Sequence, residues 1–112
     1  MSSEAELTMT TFHVKKRIDI IVETPLLRSI IGRLDQAGVT GYSVLPILEG
    51  RGMVNTWSAD GQVSDTTTMV DLFCIVDAAQ VDAIIGAVIG PVRAHIGFLT
   101  VSDVSVVRPE RF

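Results

Sequence analysis

The chain has one cysteine, Cys74, two histidines, His13 and His95, and one tryptophan, Trp57, in 112 residues. A single thiol excludes a disulfide framework, and its place between Phe73 and Ile75 is that of inert buried packing. The histidines and the cysteine lie too far apart in sequence to form a recognisable metal-binding spacing. Basic charge is scarce as well. The net charge is −4, whereas a duplex-binding protein needs a basic stripe to neutralise phosphates; nucleic acid is therefore not an expected partner. The one basic run, Lys15-Lys16-Arg17, reads as a solvated start of a strand. No apolar run reaches the roughly 18 residues of a membrane-spanning helix, so membrane insertion is not expected. Residues 1–12 carry only acidic charges, Glu4 and Glu6, and no apolar signal core, which points to a cytoplasmic protein without a secretory or organellar address. Residues 1–13 read as a disordered tail.

Catalytic groups are equally sparse. Asp71 has no serine or histidine partner in the pattern, and Asp60 and Asp65 fall in a long loop, a poor support for preorganised acid–base chemistry. The expectation is a protein that is not an enzyme and has no catalytic residues.

Apolar side chains, in contrast, are abundant. They form 47% of the chain, and the mean hydropathy is +0.43. One domain of this length buries only about two-thirds of its unfolded surface. The excess must be covered elsewhere, and contact between copies is the simplest solution.

The pattern divides residues 14–112 into two strand–helix–strand halves. Residues 14–23 alternate, with Ile18, Ile20 and Val22 on one face, as a half-buried strand does. Thr24-Pro25 opens a helix, Thr24 as its cap and Pro25 in the first turn. Leu26, Leu27, Ile30, Ile31 and Leu34 form its apolar stripe, and Gly38 ends it. Residues 42–48 are a second strand, with Pro46 marking an edge or a bulge. Met69–Val76 is a third strand, apolar on both faces except at Asp71. Asp77-Ala-Ala-Gln80 is a capping box for a helix carrying Val81, Ile84, Ile85, Val88 and Ile89, stopped by Gly90-Pro91. Residues 97–107 are the fourth strand.

This order, βαββαβ, is a ferredoxin-like α+β arrangement: an antiparallel sheet with both helices on one face. Strands three and four are apolar on both faces, so the open sheet face is expected to meet other subunits.

Between strands two and three lies residues 50–67, longer than the roughly 12–15 residues usual for a structureless connection. It reads as a functional loop that does not pack. It opens with Gly50-Arg51-Gly52, where two glycines permit a nest of N–H groups for an anion and Arg51 offers a planar fork for phosphate or carbonate oxygens; the alternative is a plain hinge. Trp57 near its tip either anchors a partner or ligand or folds back over the assembly. Arg93 and His95, just before the last strand, are either anion contacts or an ordinary surface arginine and strand-start histidine.

Leu26 to Val44, with its Gly38-x-x-Gly41-Tyr42-Ser43-Val44 turn, the loop residues Ser58, Gly61, Gln62, Ser64 and Asp65, and the C-terminal Arg108-Pro109-Glu110-Arg111-Phe112 together resemble the PII signalling superfamily. The resemblance covers about residues 15–108 and is closest to the PII-like branch associated with carboxysomes and bicarbonate uptake. It implies a homotrimer with three clefts between subunits, each taking ADP or AMP at the base of the long loop (the T-loop, residues 50–67), with bicarbonate as a second ligand. It implies that the backbone of Gly41-Tyr42-Ser43 reads the adenine edge, with the Ser43 hydroxyl as an added contact; that Gly50, Arg51 and Gly52 hold the loop's base; and that Arg108 or Arg111 meets phosphate. Arg93 or His95 would replace the lysine of the family's phosphate loop as an anion contact. The partner implied is a bicarbonate transporter or a carboxysome component. The chain departs from the nitrogen-sensing pattern: its loop has no tyrosine, the glutamine that follows Gly-Phe-Gly-Arg in that pattern has no counterpart since Gly52 is followed by Met53, and Gly90-Pro-Val-Arg93-Ala-His95-Ile-Gly97 replaces Gly-Asp-Gly-Lys. These departures argue against 2-oxoglutarate sensing. Two rival readings are a structural, carboxysome-associated trimer without ligand sensing, and a small nucleotide hydrolase or deaminase, which the missing acid–base groups disfavour.

Overall fold

Alternation makes Ile18, Ile20 and Val22 the inward face of β1 (His13–Glu23), and all three are fully buried. The computed structural model of the protein describes residues 11–51, 56–58 and 68–108. His13, assigned to the tail on sequence grounds, is the first residue of β1, opposite Val106; residues 1–10 lie outside the described residues. After β1 comes a 3-10 turn, Thr24–Leu26, with Pro25 in its first positions. Thr24 does not cap the helix as expected. Its N–H and its Oγ1 both donate to the Thr68 carbonyl at 3.0 Å, which fastens this turn to the end of the long loop.

Helix α1 (Leu27–Gln36) buries Ile30 and Leu34 on the sheet. It ends as the glycine predicts. Gly38 has φ of 87°, its N–H donates to the Asp35 carbonyl at 3.1 Å, and the Val39 N–H donates to the Leu34 carbonyl at 3.0 Å. That pair of bonds is a Schellman motif, which needs a left-handed residue at this place. The chain then enters β2 (Ser43–Ile47) and the short β3 (Glu49–Arg51), which pairs with β4 (Thr56–Ser58). The segment expected to lack structure therefore carries a two-stranded ribbon at its base. After it come β5 (Met69–Val76), a 3-10 turn, α2 (Val81–Ala94) and β6 (Gly97–Val106).

The four-stranded sheet has the order β2-β5-β1-β6, every neighbouring pair antiparallel. β2 is an edge strand, which suits Pro46. Val70, Leu72, Cys74 and Val76 of β5 join Ile18, Ile20 and Val22 beneath Ile30, Leu34, Ile84, Val88 and Val92 of the helices to form one core. This is the ferredoxin-like α+β fold expected.

Helix α2 corrects one expectation: Gly90-Pro91 does not stop it, and Pro91 lies inside a helix running to Ala94. A proline within a helix leaves the carbonyl four residues back without its N–H donor, here Ala87. Arg33 of α1 supplies the missing donor, Nη1 to the Ala87 carbonyl at 3.0 Å. The Arg33→Met variant should lose about 1 kcal/mol of stability, a fall of roughly 4–8 °C in Tm for a domain of this size. An unchanged thermal midpoint would show that water serves that carbonyl as well.

Candidate functional site

The Schellman turn of α1 and the top of β5 leave a space between them. A cavity of about 400 Å³ is lined by residues 38–43, residues 73–77 and Gln80. One wall is loop backbone, which offers N–H and C=O groups; the other is the end of a strand. Gln80 is held there by the capping box predicted from the sequence: its Oε1 accepts the Asp77 N–H at 3.0 Å. Asp77 also forms an ion pair with Lys15 of β1.

Phe73 faces Ser43 across the β2–β5 ladder, so ring and hydroxyl share one side of the sheet. The Arg17 guanidinium lies over the Phe73 ring, 3.8 Å from its centroid. Arg17 is itself fixed by Asp19, Nε to Oδ1 at 2.9 Å and Nη2 to Oδ2 at 3.0 Å. The Asp19 carboxyl is held below the usual carboxylate range by these bonds. Cys74 turns into the core, and burial pushes its thiol up to about 11, helped by the Asp19 charge; a thiol so raised is a structural group and no nucleophile at neutral pH.

Three of the sequence candidates, Gly41, Tyr42 and Ser43, meet at this cavity. The remaining described ones do not. Gly50 and Arg51 lie in β3, beyond the far end of β2, and Gly50 pairs with Trp57 in the ribbon. From Ser43 to Gly50 an extended chain covers about 20 Å. Arg93 is in the last turn of α2 and His95 follows it, both exposed. They precede Gly97, which pairs with Val22, at the end of the sheet away from the cavity. Arg108 follows the opposite end of β6, on the edge strand two strand spacings, about 10 Å, from the β5 wall, and is not among the lining residues. Gly52 and Arg111 lie outside the described residues. Within one chain the candidates thus occupy both edges and both ends of the sheet. Among the described residues no group of three or more histidines, cysteines and acids is placed to hold a metal ion, and no helix is long and apolar enough to cross a membrane.

Sequence reasoning missed Phe73, Asp77, Gln80 and Lys15 as site residues. The basic run taken for a solvated strand start is fully engaged instead: Lys15 with Asp77, Lys16 with Asp103, Arg17 with Asp19. A usable signal was Asp19, two residues from Arg17 and therefore on the same face of the strand.

The model of the nitrogen regulatory protein P-II family matches residues 15–111. No curated protein matches the chain. Among solved structures, CPII from Thiomonas intermedia K12, a PII-like protein bound to ADP and bicarbonate, is 26% identical with a TM-score of 0.78 over 92% of this chain and 98% of that one. The same protein bound to ADP, AMP and bicarbonate superposes with a TM-score of 0.81 at 24% identity, over 92% of this chain and 97% of that one. A PII-like signalling protein from Thermus thermophilus superposes with a TM-score of 0.73 at 22% identity, over 90% of this chain and 97% of that one. The last two likenesses speak for the fold alone.

Proposed function

The chain belongs to the nitrogen regulatory protein P-II family, and from that membership we propose that it is a non-catalytic sensor of adenine nucleotide. ADP or AMP enters the cavity with its base against Ser43 and the loop backbone, and bicarbonate binds beside the phosphates. The observation that carries this reading is the cavity itself: about 400 Å³, bounded by backbone donors and acceptors and an aromatic wall, suited to a planar, hydrogen-bonding base. CPII, bound to ADP and bicarbonate in its own structure, supports the ligand class.

The scatter of the other candidates supports shared sites. Arg51, Arg93, His95 and Arg108 are remote from the cavity of their own chain, and Arg108 and Arg111 reach a nucleotide by lying at a neighbour's cavity. The open sheet face offers the contact surface: Leu45 and Phe98 lie on it, each 47% exposed. The assembly is a homotrimer. Bicarbonate beside phosphate places like charges together, so arginine donors such as Arg51 must offset the repulsion. Closing the T-loop costs about 1 kcal/mol or more in backbone entropy for each residue it orders; the loop therefore closes when several ligand contacts form at once, and Trp57 then engages or releases a partner protein. In this reading the sensor domain runs from His13, at the start of β1, to residue 112, and the residues before it are a tail. The setting is the cytoplasm, associated with carboxysomes, and the partner is a bicarbonate transporter or a carboxysome component.

Calorimetric titration with AMP, ADP, ATP and cyclic AMP, each with and without bicarbonate, tests the proposal. ADP or AMP should bind, and bicarbonate should tighten that binding through coupled sites. Absence of any nucleotide binding would leave a structural trimer as the better account.

A further inference from the structure

The face of the sheet turned away from the helices carries a charge cluster that the nucleotide reading does not use. The ladder registers define it. Leu45, Asp71, Ile21 and Phe98 form one row across β2, β5, β1 and β6, and Ser43, Phe73, Asp19 and Thr100 form the next. Asp71 thus sits in an otherwise apolar row. Asp19 is its diagonal neighbour, close enough for the two side chains to act on each other. Two carboxyl groups so placed do not ionise independently, and one of them holds its proton to a higher pH than a free carboxyl does.

The surroundings decide which. Asp19 has both oxygens on the Arg17 guanidinium, which favours its ionised form. Asp71 has no such partner: its Oδ1 is buried without a hydrogen bond. Burial, and then the Asp19 hydrogen bond and charge, push the Asp71 carboxyl up to about 6, against a smaller opposing pull from Arg17. The other charged or titratable groups on this face are Lys15, engaged by Asp77, Glu23, opposite Met69 at one strand end, and His13, opposite Val106 at the other. β2 and β6 present no charged side chain to Asp71; their residues in its row are Leu45 and Phe98.

We propose that Asp19 and Asp71 form a binding site for one proton on the open sheet face, and that its occupancy strengthens the association of copies through that face. The proposal rests on the assembly reading above. Covering Leu45 and Phe98 with another copy removes water from Asp71 too, and an ionised carboxylate in an apolar contact is disfavoured far more than a protonated one. Association therefore takes up protons, and by linkage it strengthens as pH falls. Symmetric assembly brings one such pair per copy to the contact, so the effect multiplies with the number of subunits.

Sedimentation equilibrium of the full chain between pH 5 and pH 8 tests this, with Asp71→Asn and Glu23→Gln beside the wild type and circular dichroism to confirm folding. The wild type should associate at least tenfold more weakly at pH 8 than at pH 5. Asp71→Asn, neutral at every pH, should associate at pH 8 as tightly as the wild type does at pH 5. Glu23→Gln, on the same face but outside the pair, should keep the wild-type profile. Wild-type association that is tight but independent of pH overturns the proton site and leaves the assembly reading intact, as does a pH dependence that persists in Asp71→Asn. A wild type that stays monomeric at every pH overturns both.

Discussion

Replacing Gly41 by phenylalanine is expected to lower nucleotide affinity by about two orders of magnitude while the thermal midpoint stays within a degree or two of the wild type. The separation of the two effects rests on where Gly41 lies. It lines the cavity, yet a Cβ built on it meets nothing within 4 Å, and its backbone is outside the left-handed region that resists side chains. A larger residue there fits the fold without strain, and exposed substitutions of this kind usually change stability by no more than about 0.5 kcal/mol. The added ring grows from a residue of the cavity lining and takes up room that a base would occupy. Losing the contacts of one buried base corresponds to roughly 3 kcal/mol, or about 100-fold in Kd. Calorimetry with ADP on Gly41→Phe and Gly41→Ala measures it. The alanine variant, too small to fill the space, should retain most of the affinity. Wild-type ADP affinity in the phenylalanine variant would place the nucleotide elsewhere on the molecule.

The two halves of the domain were legible because each local signal had one physical solution. Ile18, Ile20 and Val22 alternate and are buried together; Gly38 ends α1 because the Schellman turn requires its positive φ; Asp77 and Gln80 close the box before α2. The misreadings came from residues whose partners are distant in sequence. Pro91 stops a helix only where nothing else serves the Ala87 carbonyl, and Arg33, 54 residues away, does so. Thr24 caps a helix when its Oγ1 turns to accept from the first helical N–H groups, but Thr68 brings from across the long loop a carbonyl to which that hydroxyl donates instead. Lys15 and Arg17 resemble a solvated run until the sheet places Asp77 and Phe73 against them. The candidate site follows the same division. Its contiguous segment, Gly41 to Ser43, was readable, since a turn into a strand is a local event. Its far wall, Phe73 with Arg17 behind it, was not, because pairing between β1, β2 and β5 alone brings those residues together.

Replacing Gly97 by alanine should destabilise the fold by about 2 kcal/mol, more than the same change at Gly32, Gly41, Gly86 or Gly90. Gly97 is the first residue of β6 and pairs with Val22. A Cβ there would lie 2.8 Å from the Ile21 carbonyl oxygen and 3.3 Å from Val22 Cγ1. The carbonyl belongs to the backbone of β1, an inner strand bonded on both sides, so the strain cannot be relieved by turning a side chain. Either β6 shifts away from β1 or the ladder opens at its end; overpacking of this kind costs about 1–3 kcal/mol. Helical glycines make the internal control. At Gly32, Gly86 and Gly90 a Cβ meets nothing within 4 Å, and alanine there should stabilise by about 0.5–1 kcal/mol through helix propensity. Chemical denaturation of the four variants gives the comparison, with opposite signs expected for Gly97 and for the helical positions. The displacement in Gly97→Ala also bears on assembly. Phe98, the next residue, occupies the row of the open face that holds Asp71, so a shift of β6 moves Phe98 relative to Asp71. Gly97→Ala should therefore weaken association of the copies even where the fold persists. A variant as stable as the wild type would mean that the start of β6 yields without strain, and that the close approach at Ile21 does not constrain the sheet.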